Sequence, residues 1–207
     1  MKQGENKMIE LKNNELMFAK VRPEAIIPTK EKENAGYDIY ACFEEDYMII
    51  PAHKTKLIPT GIASAVSDKY YLQVHERGST GSKGMKYGAG VVDSSYRGEI
   101  FICINNVNDE DIIISKLNEE DFIKKYAITN HYCFFDGESV IKYGEDDFDI
   151  IHVYDDKLDA IFYPYSKAIA QLIVHEVPEM DVKEITYEEL KSIPSKRGTG
   201  ALGSSGK

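Results

Sequence analysis

The apolar residues of this chain come in runs that are too short, and alternate too regularly, to make helices. They occupy 17–21, 38–42, 48–50, 56–58, 70–74, 99–104, 112–114 and 168–174, separated by segments that carry Gly, Pro, Asn or Asp. Alternation with a period of two, rich in Ile, Val and Tyr, puts one face of each run on a core and the other in water. Turn residues between the runs close them into neighbouring strands. The strand–helix–strand rhythm of a Rossmann or P-loop domain is missing, as are a Walker-type glycine loop and any internal repeat. The expectation is an all-β, mostly antiparallel barrel or sandwich.

Helical signal is confined to two places. Residues 117–127 put Leu117, Ile123 and Tyr126 on related faces. Thr186-Tyr-Glu-Glu189 has the form of a capping box that opens a single turn, with Pro194 following. A chain of 207 residues fits one domain carrying a sizeable insertion. Residues 1–15 read as an extension without an apolar signal core, and 196–207 as a Gly/Ser-rich flexible arm. No window approaches the ~18 uncharged apolar residues of a membrane helix, so a cytoplasmic location is expected.

Charge is concentrated in one segment. Between Asp109 and Asp159 there are 15 acidic residues and 5 lysines, which accounts for the whole net charge of −10; elsewhere the signs balance. A nucleic-acid polymer is a poor partner for such a chain, because phosphate backbones are bound through a basic footprint. A small anion remains possible where a few arginines and backbone N–H groups converge. Cys42, Cys103 and Cys133 are widely spaced and form no Cys-x-x-Cys, which argues against a disulfide framework or a thiolate zinc site. Cys42 and Cys103 lie in apolar runs and read as buried thiols.

The densest chemistry lies between Glu76 and Glu99. Six glycines in these 24 residues let a ligand approach the main chain, and Arg77 offers a forked donor suited to phosphate oxygens. Gly90-Val-Val-Asp93 ends an apolar run on a carboxylate, with Tyr96, Arg97 and Gly98 just after it. An aspartate of ordinary pKa, ~3.9, is ionised near neutrality and can take a proton from a positioned water. The tail around Arg197 is a second glycine-rich, arginine-bearing element able to order on a polyphosphate and exclude water.

These stretches resemble, in order, the five motifs of the trimeric dUTPase family. Ala35-Gly-Tyr-Asp-Ile-Tyr-Ala41 is similar to the first and Glu76-Arg-Gly-Ser-Thr-Gly81 to the second. Gly88-Ala-Gly-Val-Val-Asp-Ser-Ser-Tyr-Arg-Gly-Glu99 resembles the third almost unchanged. Ile169-Ala-Gln-Leu-Ile173 is similar to the fourth, and the run from Arg197 to Gly206 to the fifth. The likeness spans 17–107 and 161–207, and five ordered motifs are a specific signal.

The resemblance implies a distorted jelly-roll β-barrel and a homotrimer whose three active sites are shared between chains. It implies hydrolysis of dUTP to dUMP and pyrophosphate, with Asp93 activating water for attack on the α-phosphorus. Gly88, Ala89, Gly90 and Val91, within a hairpin over 87–92, would read uracil through main-chain groups. Tyr96 would lie under the deoxyribose and Leu202 would cover the base. Arg77, Gly78, Ser79, Gln171, Arg197, Gly203, Ser204 and Ser205 would hold the phosphates. Mg²⁺ would ride on the triphosphate and water, with Asp38 contacting it through water. Arg97 and Glu99 read as structural or subunit-contact residues.

Three positions depart from the family pattern: Gly78 replaces a serine, Ala168 an arginine, and Leu202 a phenylalanine. Residues 108–163 form an acidic insertion with strands of its own expected near 131–135 and 149–153. Some phage members carry an insertion here that is linked to regulatory proteins, so a phage-type member with a regulatory partner at this segment is one reading; an inert, solubilising elaboration is the other, and the preferred one. A nucleotide-sensing, regulator-binding protein is the alternative to the enzyme. The related dCTP deaminases would need a glutamate ten residues past Asp93, where this chain has Cys103.

Overall fold

The computed structural model describes residues 10–129, 133–135, 139–141, 150–151, 153–154, 157–158 and 160–199, with side-chain detail outside 127–159. It comprises two units, Met1–Val177 and Pro178–Lys207. In the first, β1 (Leu16–Lys20), β2 (Gly36–Ile39), β3 (Tyr47–Ile50), β4 (Thr55–Pro59), β5 (Ile62–Val66) and β6 (Tyr70–His75) follow one another. A single helical turn, α1 (Gly78–Gly81), then leads into β7 (Met85–Gly88), β8 (Val91–Val92), β9 (Phe101–Asn106) and β10 (Asp111–Ser115). After α2 (Glu119–Thr129) come β11 (Cys133–Phe135), β12 (Ser139–Ile141), β13 (Ile150–Ile151), β14 (Val153–Tyr154) and β15 (Lys157–Leu158). The unit closes with β16 (Ala160–Pro164) and β17 (Ala170–Glu176).

All eight expected apolar runs overlap strands, although 38–42 keeps only Asp38 and Ile39 in β2. Two sheets carry the chemistry, one in the order β2-β17-β6-β8 and the other β4-β9-β7. A third sheet, β16-β10-β3, and the β1–β5 pair complete the main body. Small sheets β11-β12-β13 and β14-β15 lie in the segment expected to bear its own strands. Every pairing is antiparallel except β10 with β16, where Ile114 faces Tyr163. That exception follows from topology, since two parallel strands need a long crossover and residues 116–159 supply one.

Ile39, Ile50, Ile58, Leu72, Met85, Ile102, Ile104, Ile112, Ile114 and Leu172 form the core between the sheets. In β10, Ile112 and Ile114 point into this core while Ile113 joins a second cluster with Ile49 and Phe122. A strand covered on both faces needs a continuous apolar run, which is why three isoleucines stand together. The cover on the outer face is α2. Its anchor is Phe122, 1% exposed and packed edge-on against Tyr47 and Phe162. Leu117 and Tyr126 flank it as expected, but Phe122 rather than Ile123 is the buried residue. Asn118 starts the helix by accepting the Asp121 N–H at 2.8 Å, and three acidic residues in the first turn suit the helix dipole.

Asn106 is buried and fully used. Its amide donates to the carbonyls of Ile50 and Glu110, and its oxygen accepts the Asn108 N–H, so β9, β3 and the turn into β10 are tied at one point. In the second unit, α3 (Tyr187–Ser192) opens on the expected capping box. The Thr186 hydroxyl accepts the Glu189 N–H at 3.2 Å, and the Glu189 carboxylate accepts the Thr186 N–H at 2.7 Å. Among the described residues no helix is long and apolar enough to cross a membrane.

Candidate active site

The β2-β17-β6-β8 sheet sets β2 and β6 on either side of β17, with Gln171 opposite both Asp38 and His75. This register brings the first, second and fourth motifs together. Beyond the end of β6 the chain turns into α1, held by Thr80, whose buried hydroxyl accepts the Arg77 N–H at 3.0 Å. Arg77 then reaches back across the sheet. Its Nε and Nη2 donate to the two oxygens of Asp38 at 2.8 and 3.0 Å, and Nη1 donates to the Ala168 carbonyl at 3.3 Å. A forked, partly shielded pair of this kind aims the guanidinium and leaves outer N–H groups for an anion.

Around that edge lies a cavity of about 560 Å³ lined by Glu33, Asn34, Asp38, Arg77, Ser79 and Gln171, with Gly36 and Gly78. Gln171 donates its amide to the Glu76 carbonyl at 2.7 Å, and its side chain lies across Gly36. A Cβ at Gly36 would stand 2.4 Å from the Gln171 oxygen, so the bare backbone is required there. At Gly78, by contrast, a Cβ would meet nothing within 4 Å, so the serine usual in the family would fit. Among the described residues Arg77 is the only cationic side chain lining this cavity, which also carries two carboxylates.

A second cavity, of about 260 Å³, is lined by Leu57, Ala89, Val91, Asp93, Tyr96, Glu99, Phe101 and Cys103. The expected 87–92 hairpin is not a two-stranded ladder. β7 pairs with β9 and β8 pairs with β6, so the turn at Ala89 and Gly90 passes from one sheet to the other. Both β7 and β8 are consequently edge strands among the described residues, each with one edge unpaired within its sheet. Ala89 holds this turn at a φ of 47°, an unusual conformation for a residue with a side chain. The Gly90 carbonyl already accepts the Val74 N–H at 2.8 Å.

Asp93 follows β8 and is exposed to the cavity. The loop after it is closed on itself. Tyr96 N–H donates to the Asp93 carbonyl at 3.1 Å, and the Tyr96 hydroxyl donates to the Glu99 carbonyl at 2.9 Å. The Glu99 carboxylate accepts the Gly61 N–H at 2.7 Å and Arg22 Nε at 3.2 Å. Glu99 thus anchors this loop within its own chain, the structural role expected. Arg97 donates to the carbonyls of Ser94 and Tyr96.

Asp93, Ala89, Val91 and Tyr96 therefore share one cavity, and Arg77, Gly78, Ser79, Gln171 and Asp38 the other. Among the described residues none lines both. Arg197 belongs to the second unit, where its N–H donates to Ser195 Oγ at 3.3 Å. Leu202, Gly203, Ser204 and Ser205 lie outside the described residues. Cys42 is buried as expected, but Cys103 is partly exposed and lines the Asp93 cavity. Leu57 and Phe101, absent from the expected set, also line it. Their signal, two apolar residues on the outward positions of paired strands (Leu57 opposite Cys103, Phe101 opposite Pro59), is visible only once β4 and β9 are in register.

A family model described as dUTPase matches residues 22–118. The chain is 32% identical over 103 residues to the deoxyuridine 5'-triphosphate nucleotidohydrolase of Leptospira interrogans, covering 48% of this chain and 70% of that protein. Identity to the Candida albicans protein of the same name is 30% over 187 residues, 89% of this chain and 84% of that one. Among solved structures, the Staphylococcus bacteriophage 80alpha dUTPase with dUPNHPP matches with a TM-score of 0.62 at 23% identity, covering 94% of this chain and 99% of that one. The last likeness is one of fold, and it matches the jelly-roll β architecture expected from the motifs.

Proposed function

Since the chain belongs to the dUTPase family, and is on that ground a dUTP nucleotidohydrolase, we propose that its Asp93 is the base of the reaction. Asp93 takes a proton from a water that attacks the α-phosphorus of dUTP in line, and pyrophosphate leaves as dUMP forms. The observation that supports this most is the Asp93 cavity itself, where a carboxylate stands beside the edge strand β8 and an aromatic ring. Main-chain groups of Gly88, Ala89, Gly90 and Val91 read the uracil edge. Cytosine presents the reversed donor pattern and strands buried polar groups, which can cost ~10⁴-fold or more in rate. A thymine methyl pressed on this fixed backbone costs about 1–3 kcal/mol.

Arg77, Gly78, Ser79 and Gln171 hold the phosphates. Their cavity carries one cation and two carboxylates, a formal excess of negative charge that leaves it unable to hold a triphosphate unaided. This deficit supports two further donors. Arg197, with Gly203, Ser204, Ser205 and Leu202, closes over the site. Mg²⁺, carried by the phosphates and water, supplies charge neutralisation when bound. Asp38 is assigned a water-mediated role, with each of its oxygens already accepting one hydrogen bond from Arg77. Among the described residues no cluster of three His, Cys, Asp or Glu could cage a metal, which suits an ion that arrives with its substrate.

The separation of the two cavities supports a homotrimer in which one chain's Asp93 cavity is completed by another chain's Arg77 cavity. Deamination finds no support, since position 103 presents a thiol to the cavity where a carboxylate would be needed. Pyrophosphate release measured with dUTP, dCTP, dTTP and UTP tests the reading. Release from dUTP should exceed the others by orders of magnitude, and comparable release from dCTP would refute main-chain reading of uracil.

A further inference from the structure

We infer that Tyr163 is a positioning residue for Arg77, acting through the Ala168 carbonyl that the two side chains share. The inference rests on the reading of the Arg77 cavity as the phosphate site. Tyr163 is 1% exposed, and its hydroxyl donates to the Ala168 carbonyl at 2.7 Å. The same oxygen accepts Arg77 Nη1 at 3.3 Å.

The Asp38 fork leaves the guanidinium free to tilt about the line joining the two groups, and a third contact removes that freedom. This third contact is only as rigid as the peptide that offers it. Ala168 lies just after a turn, closed by the Lys167 N–H on the Pro164 carbonyl at 3.0 Å, where a peptide can swing. Here it cannot swing. The Ile169 N–H is held by the Ile39 carbonyl at 2.9 Å, the Ile169 carbonyl accepts the Tyr87 hydroxyl, and the Ala168 carbonyl accepts the Tyr163 hydroxyl.

A phenylalanine would fill the same core volume without a hydroxyl to satisfy, so the tyrosine is best understood through its bond. Burial pushes its phenol above the ordinary range, against the pull of the nearby Ser79 hydroxyl and Arg77 guanidinium, so it stays a neutral donor. Tyr163 rides on β16, facing Ile114 of β10, the strand by which the chain returns from residues 116–159. The family's arginine is replaced by Ala168, and this chain orients its phosphate-binding cation through a backbone carbonyl and a phenol from outside the motifs.

The test is a double-mutant cycle on the full chain. Wild type, Tyr163→Phe, Arg77→Ala and the double variant are titrated with deoxyuridine and with a non-hydrolysable imido analogue of dUTP, and melting temperatures are recorded alongside. Tyr163→Phe should weaken the analogue roughly three- to tenfold, the scale of one hydrogen bond, and leave deoxyuridine unchanged. In the Arg77→Ala background the same change should have no further effect. Equal weakening of both ligands, or an undiminished Tyr163→Phe effect without Arg77, would overturn the inference. So would full analogue affinity in Tyr163→Phe when Arg77→Ala has lost it. Full affinity in Arg77→Ala itself would instead bring down the phosphate-site reading and this inference with it.

Discussion

At Gly98 the ring of Tyr96 lies where a side chain would be. A Cβ there would stand 2.5 Å from the Tyr96 hydroxyl oxygen and 2.7 Å from Cζ. With its hydroxyl on the Glu99 carbonyl, the ring is fixed at both its face and its tip. Its proposed task is to leave no room for a ribose 2′-hydroxyl, which only a fixed ring can do. Gly98→Ala should push the ring off this seat and lower the preference for dUTP over UTP by roughly tenfold or more, read as the ratio of kcat/KM values. Unaltered preference would mean that the sugar is selected elsewhere. The proposed base, Asp93, was legible in the sequence because a carboxylate ending a Gly-Val-Val run beside Tyr-Arg-Gly is a local pattern. The grip on Arg77 was not, because Asp38 and Ala168 lie 39 and 91 residues away from it and meet it only through strand register.

Among elements, α2 contributes no residue to either cavity, yet it seals the outer face of the sheet that carries β16. Phe122 supplies most of that seal. Phe122→Ala should cost about 3–5 kcal/mol of stability, seen as a lowered melting temperature, with KM for dUTP little changed in the protein that remains folded. Strands with bulky alternation were readable from sequence. β5 was not, because Ile-Ala-Ser-Ala-Val gains its burial from small side chains under β1 rather than from a strong apolar signal. β7 and β8 were masked by glycines, and β16 by the acidic residues around it. The parallel β10–β16 pairing was unreadable for a different reason: strand direction depends on the path of the crossover, which periodicity does not record.

For the whole molecule, two expectations follow from buried phenols and from the split site. Burial raises the pKa of both Tyr87 and Tyr163 above the ordinary 10.0. A group whose pKa is raised by folding adds stability that is full below its unfolded value and is lost as pH rises through its folded one. Stability should therefore fall above about pH 10, and Tyr163→Phe should flatten that fall in alkaline melting curves. A loss of equal steepness in the variant would assign the alkaline sensitivity elsewhere. The proposed sharing of the site between chains of a homotrimer predicts complementation. Asp93→Asn and Arg77→Ala chains, each inactive, should regain about a quarter of wild-type turnover when refolded together as random trimers, because intact halves then meet at that fraction of interfaces. No regain would mean that each chain builds its site alone.

If Asp93 activates the water, single-turnover hydrolysis by Asp93→Asn separates that role from binding. Asparagine keeps the shape of the side chain but cannot take the proton. Binding of the imido analogue should survive while pyrophosphate release from dUTP falls by at least about a hundredfold. Turnover at the wild-type rate, with the analogue still bound, would contradict it.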